Sequence, residues 1–277
     1  PSALHLTNRP DSEPIAFWAL AENIHLPYFI PDRSVVENLV HFEVARKDLT
    51  KPNLHGRLAP MAEENGNCFH TPWGENTEWT TVNGWDTCAQ TIARVDLHTL
   101  PGFLTYRNEE IVDASHRFAT LKLSYHRLAL NTTFVYSMSH IFAHTFINLC
   151  AGPEHRRLLD GIAAESKAVE QLYRVDSAVR KSMCISDLFD TEAEGSPPSD
   201  VDGIPKQREN LVDLTTTFLA RGYGKKACPG RWYASLTIKI CLAYMILNYK
   251  IELVDKLSKR KALLNAMIPP TSARLRF

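Results

Sequence analysis

The chain has 277 residues, with 31 basic and 31 acidic side chains, and its balanced charge gives no footing for nucleic-acid binding. Its 44% hydrophobic content supports a real core, enough for one large domain or two small ones. The six cysteines (68, 88, 150, 184, 228 and 241) are scattered without a Cys-x-x-Cys pair, the pattern of free, buried thiols in a reducing compartment.

In chain order, residues 14–30 read as a short helix ending in PYFIP. Ser34-Val-Val-Glu37 is a capping box, and apolar periodicity continues through Phe42 and Val44. Asn65 to Trp79, with its Gly, Asn, Pro and two Trp, reads as a turn-rich loop. Trp79 to Trp85 leads into a helix expected over Asp86 to Val95. A further helix opens at Tyr106-Arg-Asn-Glu-Glu110 and runs through Phe118 and Leu123. Leu128 to Leu149 is a long apolar helix ending in CAGPEH, and residues 155–184 are charged, amphipathic and helical. Residues 187–209 are acidic and rich in Pro, Ser and Gly, the composition of a flexible linker. No signal peptide or spanning segment is visible: the longest apolar run, Ala234 to Tyr249, is too short and carries Lys239, so it reads as a core helix.

The most informative stretch is Gly222 to Tyr249. Gly222 and Gly224 permit positive φ and a backbone that lies close to something flat. Cys228-Pro229-Gly230 follows, with Pro229 placed where a helix could begin, and a helix is expected from Arg231 to Tyr249. Cys228 thus sits behind Lys225 and Lys226 at a helix N-terminus, where the dipole favours a thiolate. A lone thiolate cannot make a zinc site, but it can be the axial ligand of a haem.

Asp213 to Ser235, DLTTTFLARGYGKKACPGRWYAS, closely resembles the haem-binding loop of the cytochrome P-450 monooxygenases of the fungal secondary-metabolism type. Two positions depart from the family pattern. Arg221 stands in place of a Phe packed beside the thiolate, and Lys226 in place of the His or Arg that meets a haem propionate. Val44 to Glu64 resembles the family segment passing over one haem face, and Ile92-Ala93-Arg94 and the RNEE at 107–110 have family counterparts. Leu128 to Leu149 resembles the long central helix, and Ile268 to Phe277 the closing strand.

The resemblance implies a mainly α fold: an incomplete cytochrome P-450-like helical domain spanning 1–277, with minor β near the C-terminus. The expected N-terminal anchor and the two helices roofing the pocket are missing, and 187–209 stands where the family has its meander. The implied activity is insertion of one oxygen atom of O₂ into a small hydrophobic organic substrate. The implied cofactor is haem b, with electrons from NADPH through an NADPH-cytochrome reductase partner. The family belongs to the endoplasmic reticulum membrane; without the anchor this chain would be cytoplasmic.

The implied haem-binding residues are Cys228, as the iron ligand, with Lys226, Gly222, Gly224 and Gly230; the bland alternative for Cys228 is a buried helix-start cysteine. Ser137 takes the position of the proton-relaying alcohol of the central helix. Its neighbours Tyr136 and Met138 lack the usual acid or His, so drift on a buried helix face explains it better. Lys181 and Cys184 replace the family's buried Glu and Arg, which removes a lock on the haem loop. His140 and His144 stand at i, i+4, but without the Glu of a His-Glu-x-x-His site they read as ordinary histidines. Asn131-Thr-Thr is a glycosylation sequon inside an expected buried helix, and RRLL and KLSKRK read as solvated faces. Two readings compete with a working oxygenase: a non-catalytic truncated remnant or mis-spliced product, and a small helical binding protein.

Overall fold

The computed structural model describes residues 40–55, 58–74, 78–99, 137–152, 154–173, 212, 214, 221–224, 227–255, 261–263, 266–268 and 271–277. The helix expected over 14–30, the capping box at Ser34, the helix opening at Tyr106, Asn131, Lys181, Cys184, Lys226 and the 187–209 linker all lie outside them. The chain divides into two compact units: Pro1–Lys51 with Leu123–Ala129 and Ser186–Ser235, and Pro52–Lys122 with Leu130–Ile185 and Leu236–Phe277.

In the first unit, helix α1 (Val40–Asp48) carries Glu43 in its first turn and Arg46 and Lys47 in its last, each charge suiting its end of the helix dipole. Ala45 and Leu49 are buried, and the Leu49 N–H closes the helix on the Ala45 carbonyl at 3.2 Å. The short α2 (Lys51–His55) follows, and only Lys51 of it belongs to this unit. This unit also holds the Cys228 loop and the first residues of the helix after it.

The second unit is built on α3 (Leu58–Trp73), α4 (Gly84–Thr99), α5 (Ser137–Ala151) and α6 (His155–Tyr173), with most of α7 (Arg231–Asn248). α4 packs against both α3 and α5, and α5 packs against α6. Phe69, Ile92, Phe142, Phe146 and Met245 are fully buried, each side chain stabilising the fold by about 1.5–3 kcal/mol. No described helix is long and apolar enough to cross a membrane; the buried Tyr233, Ile238, Cys241, Leu242 and Met245 make α7 the core helix expected, one residue shorter than Arg231 to Tyr249.

The stretch from Asn65, expected as a loop, is instead helical as far as Trp73. Its Asn, Gly and Pro are poor helix formers, but tertiary burial outweighs propensities worth under about 1 kcal/mol each for Asn and Gly. Met61, Asn65, Cys68, Phe69 and Trp73 lie on one helical stripe, and all are buried. The Asn65 amide is satisfied there: Nδ2 donates to the Ile240 carbonyl at 3.4 Å and Oδ1 accepts from the Cys241 thiol at 3.0 Å. Gly66 lies against the Tyr244 ring.

Between α3 and α4 the chain forms β1 (Thr81–Asn83), a strand absent from the sequence reading. It pairs antiparallel with β5 (Arg274–Arg276), whose other edge takes β2 (Glu252–Leu253), giving the order β1-β5-β2. Leu275, opposite both Val82 and Leu253, is buried, while Arg274 and Arg276 face out. Arg276 holds the Glu252 carboxyl below the usual range and Arg274 does the same for Asp255. β3 (Lys261–Leu263) and β4 (Ala266–Ile268) form a separate hairpin. The closing strand expected at the C-terminus is therefore present.

Helix α4 starts before the expected Asp86 because Asn83 caps it, its Oδ1 accepting the Asp86 N–H at 3.0 Å. Gly84 must be small: a Cβ there would meet Leu275 Cδ1 at 3.1 Å and the Ala273 carbonyl oxygen at 3.3 Å. An aromatic cluster closes this end. Trp73 stacks on Phe277 with centroids 4.1 Å apart, and Tyr249 meets both rings edge-on.

Candidate functional site

α7 makes its first i to i+4 bond from the Ala234 N–H to the Gly230 carbonyl at 2.9 Å, so Gly230 is the N-cap. Pro229 therefore precedes the cap and does not open the helix as expected. Pro229 and Gly230 form a turn, and a residue without an N–H loses nothing there. Cys228 lies just ahead of this turn. Its N–H donates to the Arg221 carbonyl at 2.7 Å, and the Ala227 N–H donates to the Gly224 carbonyl at 3.2 Å. The chain can double back between Arg221 and Cys228 because Gly222 and Gly224 take φ of 74° and 58°. A side chain in that region costs about 1–2 kcal/mol.

Arg231, at the start of α7, reaches back over the loop. Its Nη1 donates to the Cys228 carbonyl at 3.0 Å and its Nε to the Val212 carbonyl at 3.2 Å, with the guanidinium 5.0 Å from the Trp232 ring centre. In sequence, Arg231 is the last residue of the Cys-Pro-Gly-Arg string, and residue type alone implies no role for it. The signal was a cation placed three residues after a cysteine at a helix start. Arg221, read as a misfit side chain, contributes through its carbonyl.

Cys228 is half-buried, while the four other described cysteines, Cys68, Cys88, Cys150 and Cys241, are buried; none forms a disulfide. Burial pushes the Cys150 thiol up to about 12. It also raises Cys88, helped by Cys150, and Cys241, helped by Cys68, Asp96 and Cys88. Those thiols stay neutral at physiological pH and out of reach, so Cys228 alone among the described cysteines is open to a ligand. The described residues contain no group of three His, Cys, Asp or Glu able to hold a metal ion. A single accessible thiol on a glycine loop fits a prosthetic group that takes one protein ligand, as haem does in its axial thiolate form.

The loop brings Gly222, Gly224, Cys228 and Gly230 together in the first unit. Ser137 belongs to the second unit, where it is the first residue of α5 and is exposed; Met138 and Ser139 after it are buried. His140 lies edge-on to Trp85 at 5.0 Å, and the His140 and His144 rings are 6.4 Å apart. Of the RRLL cluster, Arg157 pairs with Glu154 and Arg156 with Glu252, both on the surface.

The chain is 45% identical over 88 residues to a cytochrome P450 monooxygenase (fsoD) of Humicola fuscoatra, a match covering 32% of this chain and 16% of that protein. It is 45% identical over 62 residues to another (efuH) of Hormonema carpetanum, covering 22% and 11%. It is 24% identical over 205 residues to the ent-kaurene oxidase of Gibberella intermedia, covering 53% and 39%. The matches thus span 39% or less of the length of these relatives. No family model and no solved structure matches. Over these segments the chain is similar to fungal cytochrome P450 monooxygenases.

Proposed function

We propose that the chain serves a haem-thiolate monooxygenase that inserts one oxygen atom of O₂ into a small hydrophobic substrate of fungal secondary metabolism. The observation that carries this reading is the half-buried Cys228, presented from a Gly222–Gly224 loop and held at both its backbone N–H and its carbonyl. Haem b, when bound, supplies the chemistry of O₂ activation, with electrons from NADPH through a reductase partner. Cys228 would hold the iron, and Gly222 and Gly224 would let the backbone lie close to the flat macrocycle. Lys226 offers a cation for a propionate, Gly230 caps α7 behind the thiolate, and Ser137 is the candidate proton-relaying alcohol. The endoplasmic reticulum membrane is the place such a partner reductase implies.

The test is the absorption spectrum of the reduced, CO-treated chain after haem is supplied. A thiolate-type Soret band is expected, lost in Cys228→Ala and kept in Cys150→Ala and Cys241→Ala. A band that survives Cys228→Ala overturns the assignment.

One observation favours a second reading, a non-catalytic relative that binds haem without turnover. Ser137 is exposed, and an exposed hydroxyl delivers protons no better than bulk water. Haem-loaded chain supplied with NADPH and reductase would then consume NADPH without oxygenated product across a panel of terpenoid and polyketide substrates. Coupled product formation restores the first reading.

A further inference from the structure

We propose that Arg231 is the positioning residue of the Cys228 loop, holding its Cys228 end and the Val212 carbonyl on one guanidinium. The inference rests on the haem-thiolate reading for its functional meaning, but not for its geometry. The Val212 and Cys228 carbonyls both accept from Arg231, at 3.2 Å to Nε and 3.0 Å to Nη1. Both lie outside the α7 hydrogen-bond ladder, whose first acceptor is Gly230. Nε and Nη1 diverge in a fixed plane, so one guanidinium sets the separation of the two carbonyls as well as holding each. The ammonium of a lysine is a compact point charge and cannot reproduce that spacing. The Trp232 ring, 5.0 Å from the guanidinium, helps keep the fork in place.

The consequence falls on Cys228. Its N–H is held by the Arg221 carbonyl and its own carbonyl by Arg231, so the peptide units on both sides of its Cα are tied down. A cysteine whose backbone is fixed on both sides presents its sulfur from one place. A cysteine released on one side lets the sulfur drift, and a ligand held loosely is replaced more easily. Arg231 touches neither substrate nor the reacting atoms; it acts through Cys228.

The test uses the full chain with Arg231→Met and Arg231→Lys. Without haem, hydrogen exchange is followed at the Cys228 amide and along residues 238–245 of α7. Arg231→Met is expected to speed exchange at Cys228 by about tenfold or more while 238–245 stays protected, with Arg231→Lys between it and wild type. With haem supplied, the share of the thiolate-type CO band should fall in the same order, a signature that a merely structural loss elsewhere would not grade. Unchanged exchange at Cys228 in Arg231→Met overturns the proposal. Should Arg231→Met lose the α7 protection as well, Arg231→Lys decides: wild-type exchange at Cys228 overturns the clamp, and faster exchange with α7 intact supports it. If wild type yields no thiolate-type band, the haem reading fails while the exchange result still judges the clamp. If wild type yields the band and exchange is insensitive to residue 231, the clamp fails alone.

Discussion

The Cys241 thiol on α7 donates to Oδ1 of Asn65 on α3 at 3.0 Å, and both residues are buried. Asn65 also donates to the Ile240 carbonyl, so one amide joins two helices far apart in sequence. Asn65→Ala is expected to destabilise the fold by about 1–3 kcal/mol, because it strands a buried donor and leaves a small gap. Urea denaturation measures this. Cys241→Ala in the Asn65→Ala background should cost less than it does alone, since the partner is already gone.

Stability should fall on the alkaline side. The Cys150 thiol moves from its ordinary 9.0 to about 12 through burial, and burial also raises Cys88 and Cys241. Between those values the unfolded chain gives up thiol protons that the folded chain keeps, so unfolding is favoured as pH rises. The contribution is whole below pH 9.0 and is lost progressively towards about 12. Denaturation midpoints at about pH 8 and about pH 10.5 should differ, and Cys150→Val should narrow the difference. Equal midpoints would mean that the thiols are more solvated than the structure has them.

Glycine strain and ligand binding can be separated. Gly74, Gly222 and Gly224 all take positive φ, and Gly74 has nothing within 4 Å of a built Cβ. Alanine at any of the three should cost about 1–2 kcal/mol from backbone strain. Only the changes at Gly222 and Gly224 should also weaken the haem spectrum. Equal spectral loss from Gly74→Ala would show that general destabilisation is the cause.

On the non-catalytic reading, Ser137→Ala should alter NADPH use by less than about twofold, as for any surface side chain. A larger loss at an unchanged folded fraction would establish the proton relay.

The parts legible in sequence were those whose local and tertiary preferences agree. α7 is legible to within one residue because the Cys-Pro-Gly break and the apolar run after it agree on where the helix lies. The buried cysteines and the closing strand were legible for similar reasons. α3 was not, because Asn65, Gly66 and Pro72 speak for a turn, whereas the deciding factor is what their neighbours meet. The stripe Met61, Asn65, Cys68, Phe69 and Trp73 carried the helical period, with Asn65 masking it as a polar break. β1 was missed because three residues give no periodicity and its partner lies at the far end of the sequence. At the site, residue types and glycine spacing were readable, but the loop's hydrogen bonds run through backbone carbonyls at Arg221, Val212 and Cys228, which side-chain identity does not encode.

The pairing of Thr80 with Phe277, each N–H donating to the other's carbonyl, also sets a schedule for synthesis. Helices can form as they leave the ribosome, but β1 cannot find β5, nor Trp73 its stacking partner Phe277, until residues 274–277 have been made and have cleared the exit tunnel. Until then Trp73 and the β1 edge wait uncovered on the nascent chain. Contacts of such long sequence separation form slowly. A ribosome stalled before residue 274 would hold a chain whose helices can form but whose β1-β5-β2 sheet cannot.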